Sequence, residues 1–342
     1  MIKNLHLSDF TDTATASSIP KYYGEALVAL AKEDPRVVTL TGDLAPATES
    51  DLFREAFPSR FFASGIAEAN MIGLAAGMAR GGDVPFVHSF SVFLTRRAFD
   101  QIAMQIAYPQ LNVKLAGFLP GLTTLLGVSH QAIDDLALMR VLPNMTIIEP
   151  SSGKQTAAAV RAAMQIEGPV YLRLHKDKTV ISDAEVEQNL EVGKGQLLLD
   201  GEDAIIFAAG YMVAEAIFAA ELLLKSDIKV SVANMHTLKP FDTNFVLQHA
   251  TRTGVVVSAE NHSVIGGLGS AVAEVLAEDQ SGASIKYKRI GIADIFAEGG
   301  TTNYLFDKYG LSAHHISDAV LKLLKVRRRI SKGIHKTKDN SN

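Results

Sequence analysis

The 342-residue sequence contains no cysteine. This absence excludes disulfides, thiolate-bound metals and cysteine nucleophiles, and it fits the reducing cytoplasm, where we expect the protein to act. No apolar run is long enough to span a bilayer, and the N-terminal segment MIKNLHLSDFTDT lacks the apolar core of a signal peptide, so we expect no membrane contact. The formal net charge of −4 provides no basic field to recruit nucleic acid.

Common phosphate-binding signatures are also missing. The sequence contains no G-x-x-x-x-G-K-[ST] and no G-x-G-x-x-G after its first strand, which disfavours a nicotinamide dehydrogenase. It contains no Gly-Asp-Gly followed at a distance by Asn, the pattern that holds a metal-bound diphosphate, and Gly42-Asp43-Leu44 is only superficially close. The segment 266–269 (GGLG) precedes a helix and fits a tight turn better than an anion site.

Short β-branched segments alternate with helical segments through both halves of the chain. This alternation predicts right-handed βαβ units and an α/β fold of two domains with parallel or mixed sheets. We expect an N-terminal arm, a first domain, a linker, a second domain and a basic tail at residues 1–17, 18–180, 181–198, 199–326 and 327–342. Strands are predicted at residues 37–41, 61–64, 84–87, 113–116, 145–148, 169–174, 204–208, 229–233, 254–258 and 285–290.

The stretch from Arg60 to Gln105 carries the first chemical signal. Glu68 is the one acidic residue in the apolar run from Ile66 to Met78, and a lone carboxylate is costly to bury unless it is paired. A helix dipole would also favour a carboxylate at this position. Two phenylalanines, Phe90 and Phe93, follow the next predicted strand, and on residue type alone they fit a core as well as a site.

Several informative residues follow predicted strands. They are Asp43, Glu68, Phe90, the loop 117–131 and His175. Since the carboxyl ends of parallel strands meet at one edge of the sheet, these residues are predicted to converge there.

Six sequence blocks, in order, resemble the transketolase family of thiamine diphosphate enzymes. The blocks GIAEANM, HSFSVFLTRRAFDQ, GVSHQAIDDLALMR and PNMTIIEP look like its pyrimidine-binding domain, and HTLKPFD and VVSAENHSVIGGLGSAVAE look like its C-terminal domain. The resemblance covers roughly residues 20–325. The family's N-terminal domain, which binds diphosphate and Mg²⁺, has no counterpart here, so the chain resembles the C-terminal subunit of a split transketolase.

The resemblance implies specific roles at the cofactor. Glu68 would hydrogen-bond the pyrimidine N1′ of thiamine diphosphate and drive its tautomeric shift, while Phe90 and Phe93 would pack against the ring. Asp43 matches a family position near the cofactor at the subunit interface. The resemblance further implies Mg²⁺ held mainly by the partner subunit, no metal ligands on this chain, an α2β2 assembly and an inactive isolated chain.

The substrate side departs from the family pattern. His130 matches a histidine that faces the donor sugar, but Leu126 stands where ordinary transketolases carry an aspartate that recognises a sugar hydroxyl. Losing that carboxylate puts the usual xylulose 5-phosphate and ribose 5-phosphate pair in doubt. Arg96, Arg173 and Lys176 are candidate substrate-binding cations, each of which also fits an ordinary surface charge.

The implied reaction is transfer of a two-carbon ketol unit from a ketose phosphate, or a related anionic sugar, to an aldose phosphate. The beta subunit of a 2-oxo-acid dehydrogenase remains an alternative, and so does a non-catalytic regulatory or scaffold paralogue. We expect the segment 260–262 (ENH) to be structural or to lie at an interface. The adjacent pair His314 and His315 lacks a third metal ligand.

Overall fold

A computed structural model describes residues 21–176 and 190–325. The predicted arm 1–17, the basic tail 327–342 and residues 181–189 of the predicted linker 181–198 lie outside the described residues. In the described part of the chain, strands and helices alternate around two sheets, which confirms the predicted α/β fold with two mixed sheets. The domain boundaries themselves stay predictions.

The first sheet contains seven strands within the described residues, numbered here in chain order. They are β1 (Val37–Thr41), β2 (Phe61–Ala63), β3 (Val84–Phe90), β4 (Lys114–Phe118), β5 (Thr146–Ile148), β6 (Val170–Leu174) and β10 (Thr237–Lys239). Their order across the sheet is β10-β5-β6-β4-β3-β1-β2. All neighbours pair in parallel except β10, which runs antiparallel to β5 and comes from the second half of the chain.

The second sheet contains five strands within the described ranges. They are β7 (Gln196–Leu199), β8 (Ala204–Ala208), β9 (Val230–Asn234), β11 (Val255–Ser263) and β12 (Lys286–Ile292), in the order β12-β11-β8-β9-β7. Only β7 is antiparallel to its neighbour, β9. The inner strands β8 and β9 are wholly buried, as expected for the β-branched and apolar runs from which they form.

Helices cover the faces of both sheets. In chain order they are α1 (Tyr22–Glu33), α2 (Asp51–Ala56), α3 (Glu68–Arg80), α4 (Ser91–Arg97), α5 (Phe99–Gln101), α6 (Asp135–Val141), α7 (Gly153–Met164), α8 (Met212–Leu224), α9 (Thr243–Thr253), α10 (Leu268–Glu278), α11 (Thr302–Lys308) and α12 (Ala313–Leu324). Shorter helical turns lie at Pro58–Arg60 and Val128–His130, and a π-helical segment at Ile102–Ala107 follows α5. None of the helices in the described ranges is both long and apolar enough to cross a membrane.

The helix after β3 begins earlier than predicted. The sequence pattern predicts a strand over 84–87 and a helix over 95–108, but β3 continues to Phe90 and α4 starts at Ser91. A break at Ala98, with φ −124°, separates α4 from the next helical segment. Because α4 follows the strand directly, Phe93 and Arg97 lie one turn apart on the same face of this helix.

One of the buried apolar clusters joins the two halves of the chain. A single cluster of buried apolar side chains includes Leu115 and Ile147 from the first sheet and Phe207 and Val256 from the second. The loop after β4 also rests on the second half, since Asn261 accepts a hydrogen bond from the Leu122 amide at 2.9 Å. These contacts fit the prediction that segment 260–262 is structural, and they attach the loop that carries His130 to the second sheet.

Candidate active site

Four side chains from different elements of the first half form the candidate site. Glu68 is the first residue of α3, directly after β2 and its connecting loop, and Phe90 ends β3. Phe93 lies on α4 and His130 in the short turn Val128–His130. The ring centres of Phe90 and Phe93 are 5.9 Å apart, and the His130 ring lies 6.2 Å from Phe90 and 5.1 Å from Phe93. The predicted convergence at the carboxyl edge of the first sheet is therefore observed for these rings.

Glu68 is buried and has two hydrogen-bond partners. Ser89 Oγ donates to Glu68 Oε1 at 3.3 Å, and Arg97 Nη1 donates to both carboxylate oxygens, at 3.0 and 3.1 Å. Gly42 borders the carboxylate as well, because a Cβ added there would lie 3.8 Å from Glu68 Oε1 and from Ser89 Oγ. Arg97 thus compensates the charge of the Glu68 carboxylate, while Ser89 and Gly42 confine its position.

The Arg97 guanidinium also lies over an aromatic ring, with Cζ 4.0 Å from the centre of Phe93. The carboxylate of Glu68 and the face of Phe93 therefore hold a flat, N–H-bearing group between them. A carboxyl group beside an aromatic face also fits an aminopyrimidine, whose ring is flat and whose ring nitrogen can share a proton with the carboxyl group. Arg97 was not predicted, although its position four residues after Phe93 on a helix was an available signal.

His130 is half-buried, and contacts of its own ring and of the residues that follow it fix the segment in which it lies. Its Nδ1 lies 2.9 Å from Ser129 Oγ, and the Gln131 side chain donates to the Glu298 carbonyl at 2.9 Å. Arg96 Nε lies 3.0 and 2.9 Å from the two carboxylate oxygens of Asp134, so this predicted substrate ligand fixes the segment that follows His130. A role for Arg96 in substrate contact stays a prediction.

Leu126 and Asp43 both lie at the surface. Leu126 is 60% exposed and sits with exposed Leu125 and Val128 in the loop before His130, so this edge of the site is apolar. Asp43 is exposed, with φ 66°, and directly follows Gly42 beside the Glu68 carboxylate. Both positions are compatible with the predicted cofactor and substrate roles, which stay predictions.

The prediction that Arg173 binds substrate is wrong for this structure. The side chain is fully buried, with Nε 2.7 Å from Asp135 Oδ2, Nη1 2.6 Å from Glu149 Oε1 and Nη2 3.0 Å from the Asn261 carbonyl. Burial alone would lower the pKa of Arg173, but the charges of Asp135 and Glu149 raise it instead. Arg173 joins the two halves of the chain and presents no surface to a solvent-borne ligand.

Lys176 lies two residues after the end of β6, the strand that carries Arg173. Its Nζ is 3.4 Å from the Pro46 carbonyl, and burial lowers the pKa of the side chain although Glu49 lies nearby. Lys176, His175 and Tyr23 line one small cavity. His175 also contacts Glu149, with Nε2 2.9 Å from Oε1. Binding of a substrate anion by Lys176 stays a prediction.

Across residues 21–176 and 190–325, no three His, Cys, Asp or Glu side chains form a cluster suited to a metal ion. His315 of the adjacent histidine pair is engaged by Ser312, whose Oγ lies 2.8 Å from its Nδ1. The expectation that Mg²⁺ is held by a partner subunit stays a prediction.

Comparisons with known proteins agree over most of the chain. The family model of the transketolase pyrimidine-binding domain matches residues 16–180, and that of the transketolase C-terminal domain matches residues 193–316. The 6-deoxy-6-sulfo-D-fructose transketolase subunit of Clostridium sp. (strain MSTE9) is 45% identical, over 86% of this chain and 90% of its own length. A putative transketolase C-terminal section from Methanocaldococcus jannaschii is 41% identical, over 89% and 96%. A solved split-gene transketolase, described as an inactive β4 tetramer, superposes with a TM-score of 0.81 at 46% identity, over 90% of this chain and 98% of that one.

Proposed function

Because this chain belongs to the transketolase family, we propose that it is the C-terminal subunit of a two-chain transketolase. The observation that carries this proposal is the buried Glu68 carboxylate, which shares a flat cationic group with the Phe93 ring. That arrangement provides a carboxyl group that can share a proton with the ring nitrogen of an aminopyrimidine and an aromatic face on which the ring can stack. The reaction would transfer a two-carbon ketol unit from a ketose to an aldose phosphate.

The proposed cofactor is thiamine diphosphate, which when bound supplies a nucleophilic carbon for addition to a ketose carbonyl. Glu68 would hold a proton at the pyrimidine N1′, and its burial strengthens that hydrogen bond. The rings of Phe93 and Phe90 would fix the pyrimidine plane, with Asp43 at the rim. His130, in edge contact with Phe93, would donate a hydrogen bond to the oxygen of the donor sugar.

We propose that activity requires an N-terminal subunit that binds the diphosphate and Mg²⁺, in a cytoplasmic assembly with two copies of each chain. The relatives support the need for a second chain, since one is named a subunit, one a C-terminal section and one a split-gene protein. Their names also favour a transketolase over the beta subunit of a 2-oxo-acid dehydrogenase or a non-catalytic paralogue.

The proposed donor is a ketose with an anionic end. The exposed Leu126 at the apolar edge offers no carboxylate to read a sugar hydroxyl, which argues for a donor other than xylulose 5-phosphate. The Clostridium relative is named for 6-deoxy-6-sulfo-D-fructose, so a sulfonated ketose is a specific candidate.

Reconstitution tests this proposal. This chain is mixed with a transketolase N-terminal subunit, Mg²⁺ and thiamine diphosphate, and transfer to an aldose phosphate is measured from xylulose 5-phosphate and from 6-deoxy-6-sulfo-D-fructose. We expect transfer only with both chains, and more from the sulfonated ketose. Glu68→Ala should abolish transfer, whereas Glu33→Gln, which alters an exposed carboxylate paired with Arg161, should not. Full activity of Glu68→Ala, or pyruvate decarboxylation without ketol transfer, would contradict the assignment.

A further inference from the structure

Arg97 is the charged member of the Glu68 cluster to which the proposed function gives no role. Its Nη1 contacts both oxygens of Glu68, at 3.0 and 3.1 Å, and its Cζ lies 4.0 Å from the centre of the Phe93 ring. A guanidinium binds carboxylates through its N–H edge and aromatic rings through its face, and Arg97 makes both contacts here. Arg97 therefore binds the pair Glu68 and Phe93 as a ligand would.

The two side chains of this ion pair differ in solvent exposure. The Glu68 side chain is 2% exposed, whereas that of Arg97 is 46% exposed. Moving the Arg97 guanidinium into solvent costs little free energy, because the side chain is already about half exposed. The buried Glu68 carboxylate, however, is then left without a compensating charge. Another group that offers N–H to Glu68 and a flat face to Phe93 would restore what is lost.

The pyrimidine of the proposed cofactor is such a group when its N1′ carries a proton, as it does in the imino tautomer. It would hydrogen-bond Glu68 through its edge and stack on Phe93 through its face, so it needs both contacts that Arg97 now makes. The two flat groups cannot fill the same space. We propose that Arg97 is an internal occupant of the pyrimidine site, which keeps Glu68 paired and must swing out into solvent before thiamine diphosphate binds.

This inference rests on the proposed function and predicts that removing the competitor tightens cofactor binding. In the reconstituted complex, Arg97→Gln should lower the Kd for thiamine diphosphate, titrated with Mg²⁺ by calorimetry, by about three- to tenfold. Arg97→Lys keeps the charge but loses the flat guanidinium, so its Kd should lie between those of Arg97→Gln and the wild type. Arg161→Gln, which removes a similarly exposed arginine from a surface pair with Glu33, should leave the Kd unchanged.

A second measurement, of melting temperatures, tests whether Arg97 compensates the charge of Glu68 when no cofactor is bound. The isolated Arg97→Gln chain should melt a few degrees below wild type, because Glu68 loses its partner, and the loaded complex should recover most of that difference. An unchanged or higher Kd in Arg97→Gln would overturn the inference while leaving the proposed function intact. Absence of cofactor binding in the wild-type complex would overturn both.

Discussion

His130 illustrates how single side chains are placed in this site. Ser129 lies within hydrogen-bond distance of its Nδ1, at 2.9 Å, and Phe93 packs edge-on at 5.1 Å, so Nε2 is the nitrogen left to face a substrate. Two aromatic neighbours and one hydroxyl therefore fix the direction in which the imidazole can act.

If His130 stabilises charge on the donor oxygen, truncating it should slow transfer without weakening cofactor binding. We expect His130→Ala to lower kcat of the reconstituted complex by about 10²- to 10³-fold. Steady-state kinetics and a cofactor titration measure the two effects separately. His315 provides a matched control, because its Nδ1 also pairs with a serine hydroxyl at 2.8 Å, outside the site. Equal losses in His130→Ala and His315→Ala would contradict the assigned role.

The sequence predicted the types of residue at the site better than the orientation of its cations. Glu68, Phe93 and His130 follow strands or begin helices, and their placement depends on local pattern. The partners of Arg97 and Arg173 depend on distant residues. Glu68 lies 29 positions before Arg97, and Asn261 lies 88 positions after Arg173. No local periodicity indicates which charges will meet after folding, so the two arginines were the least predictable members.

At the scale of elements, the ends of β5 and β6 meet around a buried ion cluster. Glu149 follows β5, Arg173 lies on β6, and Asp135 begins α6. Burial alone would raise the pKa of Glu149, but the Arg173 charge and the His175 hydrogen bond outweigh it and lower that pKa to about 2. A carboxyl with a depressed folded-state pKa stabilises the fold above its usual value of 4.5, and this stability is lost as the pH falls towards 2.

The cluster should therefore appear in the pH dependence of unfolding. We expect the wild-type chain to lose on the order of 3 kcal/mol between pH 4.5 and 2 through Glu149. Glu149→Gln should be less stable by about 3 kcal/mol at pH 7 and should show a flatter curve in that range. Denaturant titrations at several pH values measure both. Glu33→Gln, at an exposed pair, should change stability by less than about 1 kcal/mol, and parallel curves for wild type and Glu149→Gln would contradict the account.

Most elements could be predicted because their apolar periods are clear, but those that depend on tertiary contacts could not. Strand β10 is three residues long and forms only because it pairs with β5 of the other half. Helix α4 was predicted to begin four residues late, since the run of Phe90 to Leu94 fits a strand as well as a helix. Helix α12 was not predicted, although Ile316 and Val320, both buried, have helical spacing.

At the scale of the whole molecule, the two halves pack against each other over the described residues. Arg140, on α6, donates to the Gly266 carbonyl at 2.7 Å, just before α10, and forms an ion pair with Glu274 on α10. Helix α6 is thereby connected to α10 of the second half. Together with the shared core and the Arg173 cluster, these contacts hold the loop of His130 against the second half. What this chain supplies under our proposal is the pyrimidine half of a cofactor site, with the diphosphate half coming from a partner.

The central claim is that the Glu68 carboxylate activates the cofactor, and the exchange of the thiazolium C2 proton tests it most directly. The reconstituted complex is mixed with D₂O, quenched in acid at set times and analysed by proton NMR. We predict that Glu68→Gln slows exchange by at least about 100-fold relative to wild type, while Glu33→Gln exchanges at the wild-type rate. Exchange at the wild-type rate in a Glu68→Gln complex that still binds thiamine diphosphate would contradict the account.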